Sequence, residues 1–200
     1  MHVFLTGFGV SISLILAIGA QNAFVLKQGL QQRHVGLVVA ICAVTDAVLI
    51  GAGVAGVGWI AAEAPWITTV LLFAGAAFLT YYGAKSFYAA WAGTGALQAA
   101  GAVEQSWQSA ALTCVAVTWL NPHMYLDTVV LIGSVSSQYP DQRLVFWLGA
   151  ALASGLFFCT LGYGARLLAP LFAKPRAWQV LDFGIGCVMW SIAFSLLMAP

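Results

Sequence analysis

Two hundred residues carry 62% hydrophobic side chains, 6% charged ones and a net charge of +1. With a mean hydropathy of +0.95, the chain has too little polar surface to cover a globule in water, so lipid is its expected solvent. Its seven basic residues are scattered and no Gly-rich phosphate loop occurs, which excludes a nucleic-acid patch or a nucleotide cradle.

A membrane helix needs about 20 mostly apolar residues to cross roughly 30 Å of hydrocarbon. Six runs qualify. The first, Val3 to Leu26, has IGA before Gln21 like a loose cleavage site. Met1 to Ser13 holds no Lys or Arg, however, and the run exceeds the signal-peptide core of about 7 to 15 residues, so a retained spanning helix is predicted. The second, Val35 to Ala62, places Asp46 eleven residues in, close to mid-membrane. The third, Pro65 to Trp91, leads into Ala92 to Ser109, the longest and most Gly/Ala/Ser/Gln-rich connection. The fourth, Ala110 to Gly133, contains Asn121–Pro122 and Asp127; the fifth is Leu144 to Leu168 and the sixth Ala177 to Ala199. Small residues such as Gly51 to Gly58 and Gly162 to Gly164 let helices approach closely in lipid. Cys42, Cys114, Cys159 and Cys187 lack metal-ligand spacing and read as packing residues.

The expected architecture is therefore a single all-α membrane domain over residues 1–200 with six transmembrane helices. Residues 1–91 form one three-helix half, 92–109 a cytoplasmic linker and 110–200 the other half. An odd number of helices per half makes the second enter from the opposite face, an inverted-topology 3+3 repeat. LAIGAQNAF (Leu16 to Phe24) and VTWLNPHMY (Val117 to Tyr125) each place an Asn in the first helix of their half, although Asn121 and Asn22 sit at different depths. Lys27, Arg33, Lys85, Arg166, Lys174 and Arg176 fall on one side and Arg143 alone on the other. The first side is predicted cytoplasmic and both termini periplasmic.

Within hydrocarbon an ionised carboxylate costs about 2.5 to 3.5 kcal/mol on insertion scales, so Asp46 and Asp127 need a partner, water or a proton. No Lys or Arg lies mid-span to neutralise them. Something cationic must complete the site. Asp182, near the start of the last span, is expected to reach the interface and favour a helix N-terminus.

Pro122 removes a backbone donor, frees a carbonyl near residue 118 and biases Asn121 away from helical geometry. Irregular backbone at that depth survives where it lines a cavity or is buried in protein. The fourth helix is thus predicted to be discontinuous, with a half-helix N-terminus for a substrate carboxylate and Asp127 or Asp46 for a cation. An amino acid with a positive side chain suits such a pocket. His123 reads as a wall residue or a proton relay, and Tyr125 and Thr128 as polar lining.

GAQNAFVLKQG (Gly19 to Gly29), Asp46 in CAVTDAVLI, YYGAKSF, TWLNPHMYLDT (Thr118 to Thr128) and GCVMW (Gly186 to Trp190) closely resemble the basic amino acid exporters of the lysine exporter (LysE) family. The resemblance runs over nearly the whole chain in one register. It implies a bacterial inner-membrane carrier without cofactor or metal that moves L-lysine or L-arginine outward, driven by the proton motive force. Gln21, Asn22, Asp46, Asn121, Pro122 and Asp127 match the family pattern and carry over as substrate-site residues. The family usually has Pro where this chain has Ala20, so the first helix is expected to be less sharply broken than the fourth.

Exporting one positive charge against an inside-negative potential costs about 2.3 kcal/mol per 100 mV. Exchange of cation for proton at Asp46, Asp127 or both removes that cost. The open alternatives are an exporter of neutral amino acids, a small-cation carrier, an intramembrane aspartyl hydrolase or a packing subunit. A homodimer is the prior for a small carrier.

Overall fold

The computed structural model describes residues 1–16, 19–56, 65–95 and 106–198, apart from the side chains of residues 65–68, 71 and 122. The end of the expected second span past Gly56 and residues 96–105 of the expected linker lie outside the described residues. The described elements are all helical, without a strand. In chain order they are α1 (His2–Ile15), α2 (Ala20–Gln31), α3 (Val35–Val54), α4 (Pro65–Ala92), α5 (Trp107–Trp119), α6 (Pro122–Tyr125), α7 (Ile132–Ser136), α8 (Arg143–Gly164) and α9 (Pro175–Met198). A π-helical segment, Leu126–Leu131, joins α6 to α7.

Among the described residues, three stretches are long and apolar enough to cross a membrane on their own: Val35–Val54, Pro140–Leu168 and Pro175–Met198. α1 and α2 qualify together as one bent span. Large apolar side chains point outward from these helices, among them Leu5, Val44, Leu152, Val180 and Phe194. Water would not tolerate that surface, whereas lipid solvates it.

Lipid tails supply no hydrophobic drive between helices, so the bundle relies on close van der Waals approach. Glycines make that approach possible. A Cβ on Gly7 would strike the backbone at Phe146, and one on Gly149 the backbone at Phe4, which is how α1 lies against α8. Gly29 on α2 and Gly162 on α8 meet in the same way. α4 packs along α9, while α2 runs through the middle and touches α3, α5, α8 and α9. Cys42 and Cys114 are free, buried packing residues whose Sγ atoms lie 3.5 Å apart.

Two helices are broken. The expected first span is two helices, α1 and α2, set at 82° to one another, so the helix is broken here although position 20 is Ala and not Pro. Gly19 takes an extended conformation (φ −117°, ψ 174°) as the residue before α2. From inside α2, Asn22 Nδ2 donates to the Ile15 carbonyl at 2.7 Å. An unsatisfied backbone carbonyl in hydrocarbon costs several kcal/mol, and this amide supplies the missing donor.

The second break falls at Asn121–Pro122, where the proline predicts it. α5 stops at Trp119, and Asn121 Oδ1 accepts from the His123 backbone N–H at 3.2 Å, capping α6. The Tyr125 hydroxyl donates to the Trp119 carbonyl at 2.8 Å, satisfying the end of α5. Beyond it the π-helical segment holds one extra residue per turn. Thr128 Oγ1 donates to the Met124 carbonyl at 2.6 Å. Gly53 on α3 sits directly against the backbone of Thr128 and Val129, so no larger residue fits where the widened turn meets α3.

Candidate functional site

Both breaks open onto one cavity of about 260 Å³. Gly19, Gln21 and Asn22 line it from the first break, Asn121 and His123 from the second. Asp46 enters from α3 and Asp127 and Thr128 from the π-helical segment. Leu14, Ile15, Phe158 and Ile192 close the remaining wall with apolar surface. α1 runs 14 residues and α5 runs 13 before each interruption.

Asp46 is 1% exposed. Its Oδ2 accepts from the Ser154 hydroxyl at 2.6 Å, while Oδ1 has no hydrogen-bond partner among the described residues. Gln21 Nε2, on the same cavity, is also buried without an acceptor. Buried polar atoms left unpaired each cost about 1 to 3 kcal/mol. The cavity therefore holds an acceptor and a donor without a close partner, and either a polar guest or a turn of the Gln21 amide onto its neighbour Asp46 removes both penalties. Asp127 is partly exposed to the same space. Among the described residues the ion pair is Lys27 with Asp182, and neither cavity carboxylate has a Lys or Arg partner, while His123 lies within electrostatic reach of Asp127.

The N-terminus of α2 begins at the cavity, with Gly19 on the wall. The first-turn N–H groups and the dipole of a helix favour a carboxylate at such an end. An acid-lined space beside a helix N-terminus can hold a zwitterion with an added positive charge.

Gln21, Asn22, Asp46, Asn121 and Asp127 are thus brought together. Pro122 opens α6 between Asn121 and His123, its side chain outside the described residues. Thr128 is a buried wall residue, and His123 is an exposed residue on the rim of the same cavity. Tyr125 lies elsewhere, its hydroxyl engaged by Trp119. Asn22 is a brace as well as a wall residue, through its bond to Ile15.

The expectation that Asp182 reaches the membrane interface is overturned. It is fully buried, with Oδ1 2.5 Å from Lys27 Nζ. A helix dipole and snorkelling were the forces considered, and a partner 155 residues away in sequence outweighs both.

Sequence reasoning missed Ser154 and the π-helical segment. Ser154 carried a usable signal, a hydroxyl flanked by apolar residues in a spanning helix. The widened turn carries no residue pattern of its own and is defined by its packing on Gly53.

A family model described as "LysE type translocator" matches residues 12–199. An arginine exporter protein ArgO of Yersinia enterocolitica is 40% identical over 98% of this chain and 96% of its own length. Another, from Serratia proteamaculans, is 40% identical over the same shares. No solved structure matches the chain at a significant level.

Proposed function

This chain belongs to the LysE type translocator family, and from that premise we propose that it exports the basic amino acids L-arginine and L-lysine from the bacterial cytoplasm across the inner membrane. The names of the two arginine exporters similar to it support that substrate class. A translocator carries its substrate and does not cleave it, so the hydrolase alternative is set aside.

The observation that carries the proposal is the meeting of Asp46 and Asp127 on one cavity with no Lys or Arg beside them among the described residues. At about 260 Å³ the space lies just below the ~300 to 1,000 Å³ of drug-sized pockets, which suits an amino acid. The substrate's guanidinium or ammonium docks on Asp46 Oδ1, the acceptor left open by Ser154. Its α-carboxylate faces the N-terminus of α2 and the Gln21 amide. Once the substrate leaves outward, a proton takes its place on the carboxylate, so one positive charge goes out and one comes in. Without that exchange each exported cation works against about 2.3 kcal/mol per 100 mV.

Six crossings, an inverted 3+3 repeat and periplasmic termini remain the topology we favour. Two helices broken after 14 and 13 residues, with both breaks on one cavity, support it. In that repeat Gly19 corresponds to Asn121 and Ala20 to Pro122, so the two asparagines are not counterparts.

Arginine counterflow in proteoliposomes tests the proposal. Asp46→Asn or Asp127→Asn is expected to lower the rate at least ~100-fold, equivalent to about 2.7 kcal/mol. Unchanged, still pH-driven efflux from either variant overturns the role of that residue. Counterflow of leucine as fast as that of arginine overturns the substrate class.

A further inference from the structure

A second and larger cavity, about 620 Å³, lies at the other end of α2. α2 gives Gln21 and Asn22 to the smaller cavity and Phe24, Lys27 and Gln31 to the larger one. One half-helix therefore walls both. Phe24 stands between them, 2% exposed, with its ring edge-on to Tyr82 at a centroid distance of 6.3 Å. Lys85 and Arg33 complete the basic lining of the larger cavity, on the side that carries six of the seven basic residues and is predicted cytoplasmic.

From the wall of this space Lys27 reaches Asp182 on α9. The carboxylate is 0% exposed, and while Oδ1 holds the ammonium, Oδ2 has no donor among the described residues. Gly95 presses against Oδ2, leaving no room for a side chain there. Lys27 thus presents a primary ammonium on a four-carbon stem to a buried acid, the same group in the same charge state as the side chain of free lysine.

We propose that Asp182 is a second cation site at the cytoplasmic mouth of the pathway, occupied at rest by Lys27 and taken over by a basic amino acid that displaces it. The proposal rests on the export reading above and adds where the substrate is first recognised. Displacement conserves the charge pairing: the guest's side-chain cation replaces Lys27 on Asp182, and its α-carboxylate meets the released Lys27. A neutral amino acid brings a carboxylate but nothing for Asp182, and opening a buried pair onto a bare charge is strongly unfavourable. A simple cation lacks the carboxylate for Lys27. Releasing Lys27 also unpins the end of α2 opposite the smaller cavity, so occupation of the mouth loosens the helix that walls the inner site.

The test uses Lys27→Cys in a Cys159→Ala/Cys187→Ala background, which lacks the two exposed thiols. A positively charged thiosulfonate reagent modifies the new thiol from the larger cavity. Arginine is expected to slow modification at least five-fold, citrulline, which has the same zwitterion without the cation, to leave it unchanged, and Asp182→Asn to abolish the protection. Equal rates with and without arginine while Asp182 is present overturn the site. Should Lys27→Cys not fold, the charge swap Lys27→Asp/Asp182→Lys keeps the pair. It is expected to melt within a few degrees of the parent while the arginine concentration for half-maximal counterflow rises at least ten-fold. A parent-like value in that variant overturns the proposal. Counterflow by the parent chain with no protection in Lys27→Cys sinks this site alone, whereas protection without counterflow sinks the export reading and leaves the site standing.

Discussion

At Asn121–Pro122 the helix is interrupted by covalent geometry: the imino nitrogen offers no hydrogen and its ring excludes the preceding turn. At Gly19–Ala20 nothing covalent compels an interruption, yet the chain turns by 82° between the flanking helices. The first break is held from a distance by Asn22 reaching back seven residues to Ile15. The second is held locally, by Asn121 capping its own helix and Tyr125 closing the end of α5. The difference teaches that a spanning helix can be opened either by removing a donor from the backbone or by supplying one from a side chain. In both cases the bared carbonyl finds a partner, as an apolar surround requires.

The largest effect should follow from restoring the missing donor. Pro122→Ala returns an N–H that can reach back toward Thr118 and lifts a penalty of about 3 kcal/mol against helix. The balance then shifts roughly 100-fold toward a continuous α5–α6. Arginine counterflow is expected to fall at least ~10-fold while the melting temperature holds or rises. Pulsed spin-label distances between the exposed positions 107 and 137 should lengthen as the helix straightens. Parent-like counterflow would show that the proline is not what keeps the second break open.

A smaller effect separates the two asparagines. Asn22→Ala leaves the Ile15 carbonyl without its 2.7 Å donor, at a cost of about 1 to 3 kcal/mol for an unsatisfied buried acceptor. Asn121→Ala removes a single cap to the His123 N–H, typically about 1 kcal/mol, and Pro122 and Tyr125 still hold that break. Melting in detergent should therefore order the variants with Asn22→Ala the less stable. The reverse order would mean that the first break is held by the packing of α2 and not by its amide.

This contrast also explains how much was legible in the sequence. Composition and run length are properties of the solvent the chain needs, so the all-helical membrane class and the apolar runs could be read directly. Asp46, Asp127 and Asn121–Pro122 stood out because a charge or a proline in hydrocarbon has few permitted surroundings, and all three lie at the one cavity. Gln21 and Asn22 were reached through family resemblance, since neither residue type is costly enough to signal a site alone. The full bend at Ala20 was hidden because it depends on a hydrogen bond across space. The two asparagines, set at different depths by the sequence, act in opposite directions, one forward onto α6 and one back onto α1. The Lys27–Asp182 pair joins helices that nothing in local pattern associates.

The smallest expected effect is the most direct probe of the first break. Ala20 is the first residue of α2, where the N–H has no intrahelical acceptor and proline is well tolerated. Gly19 already holds φ −117° and ψ 174°, close to the extended region that a following proline demands. Ala20→Pro should therefore meet no backbone strain and stabilise the fold by about 0.4 to 1 kcal/mol, by narrowing the unfolded ensemble. Because position 20 is fully buried, the added ring must also find space among its neighbours, and a loss of stability would place the obstacle there and not in the backbone. Combined with Asn22→Ala, the proline should recover part of the lost stability, since a break written into the covalent chain depends less on an amide reaching back to hold it open. Additive effects, with no recovery beyond that of Ala20→Pro alone, would mean that the proline and the amide act on the break independently.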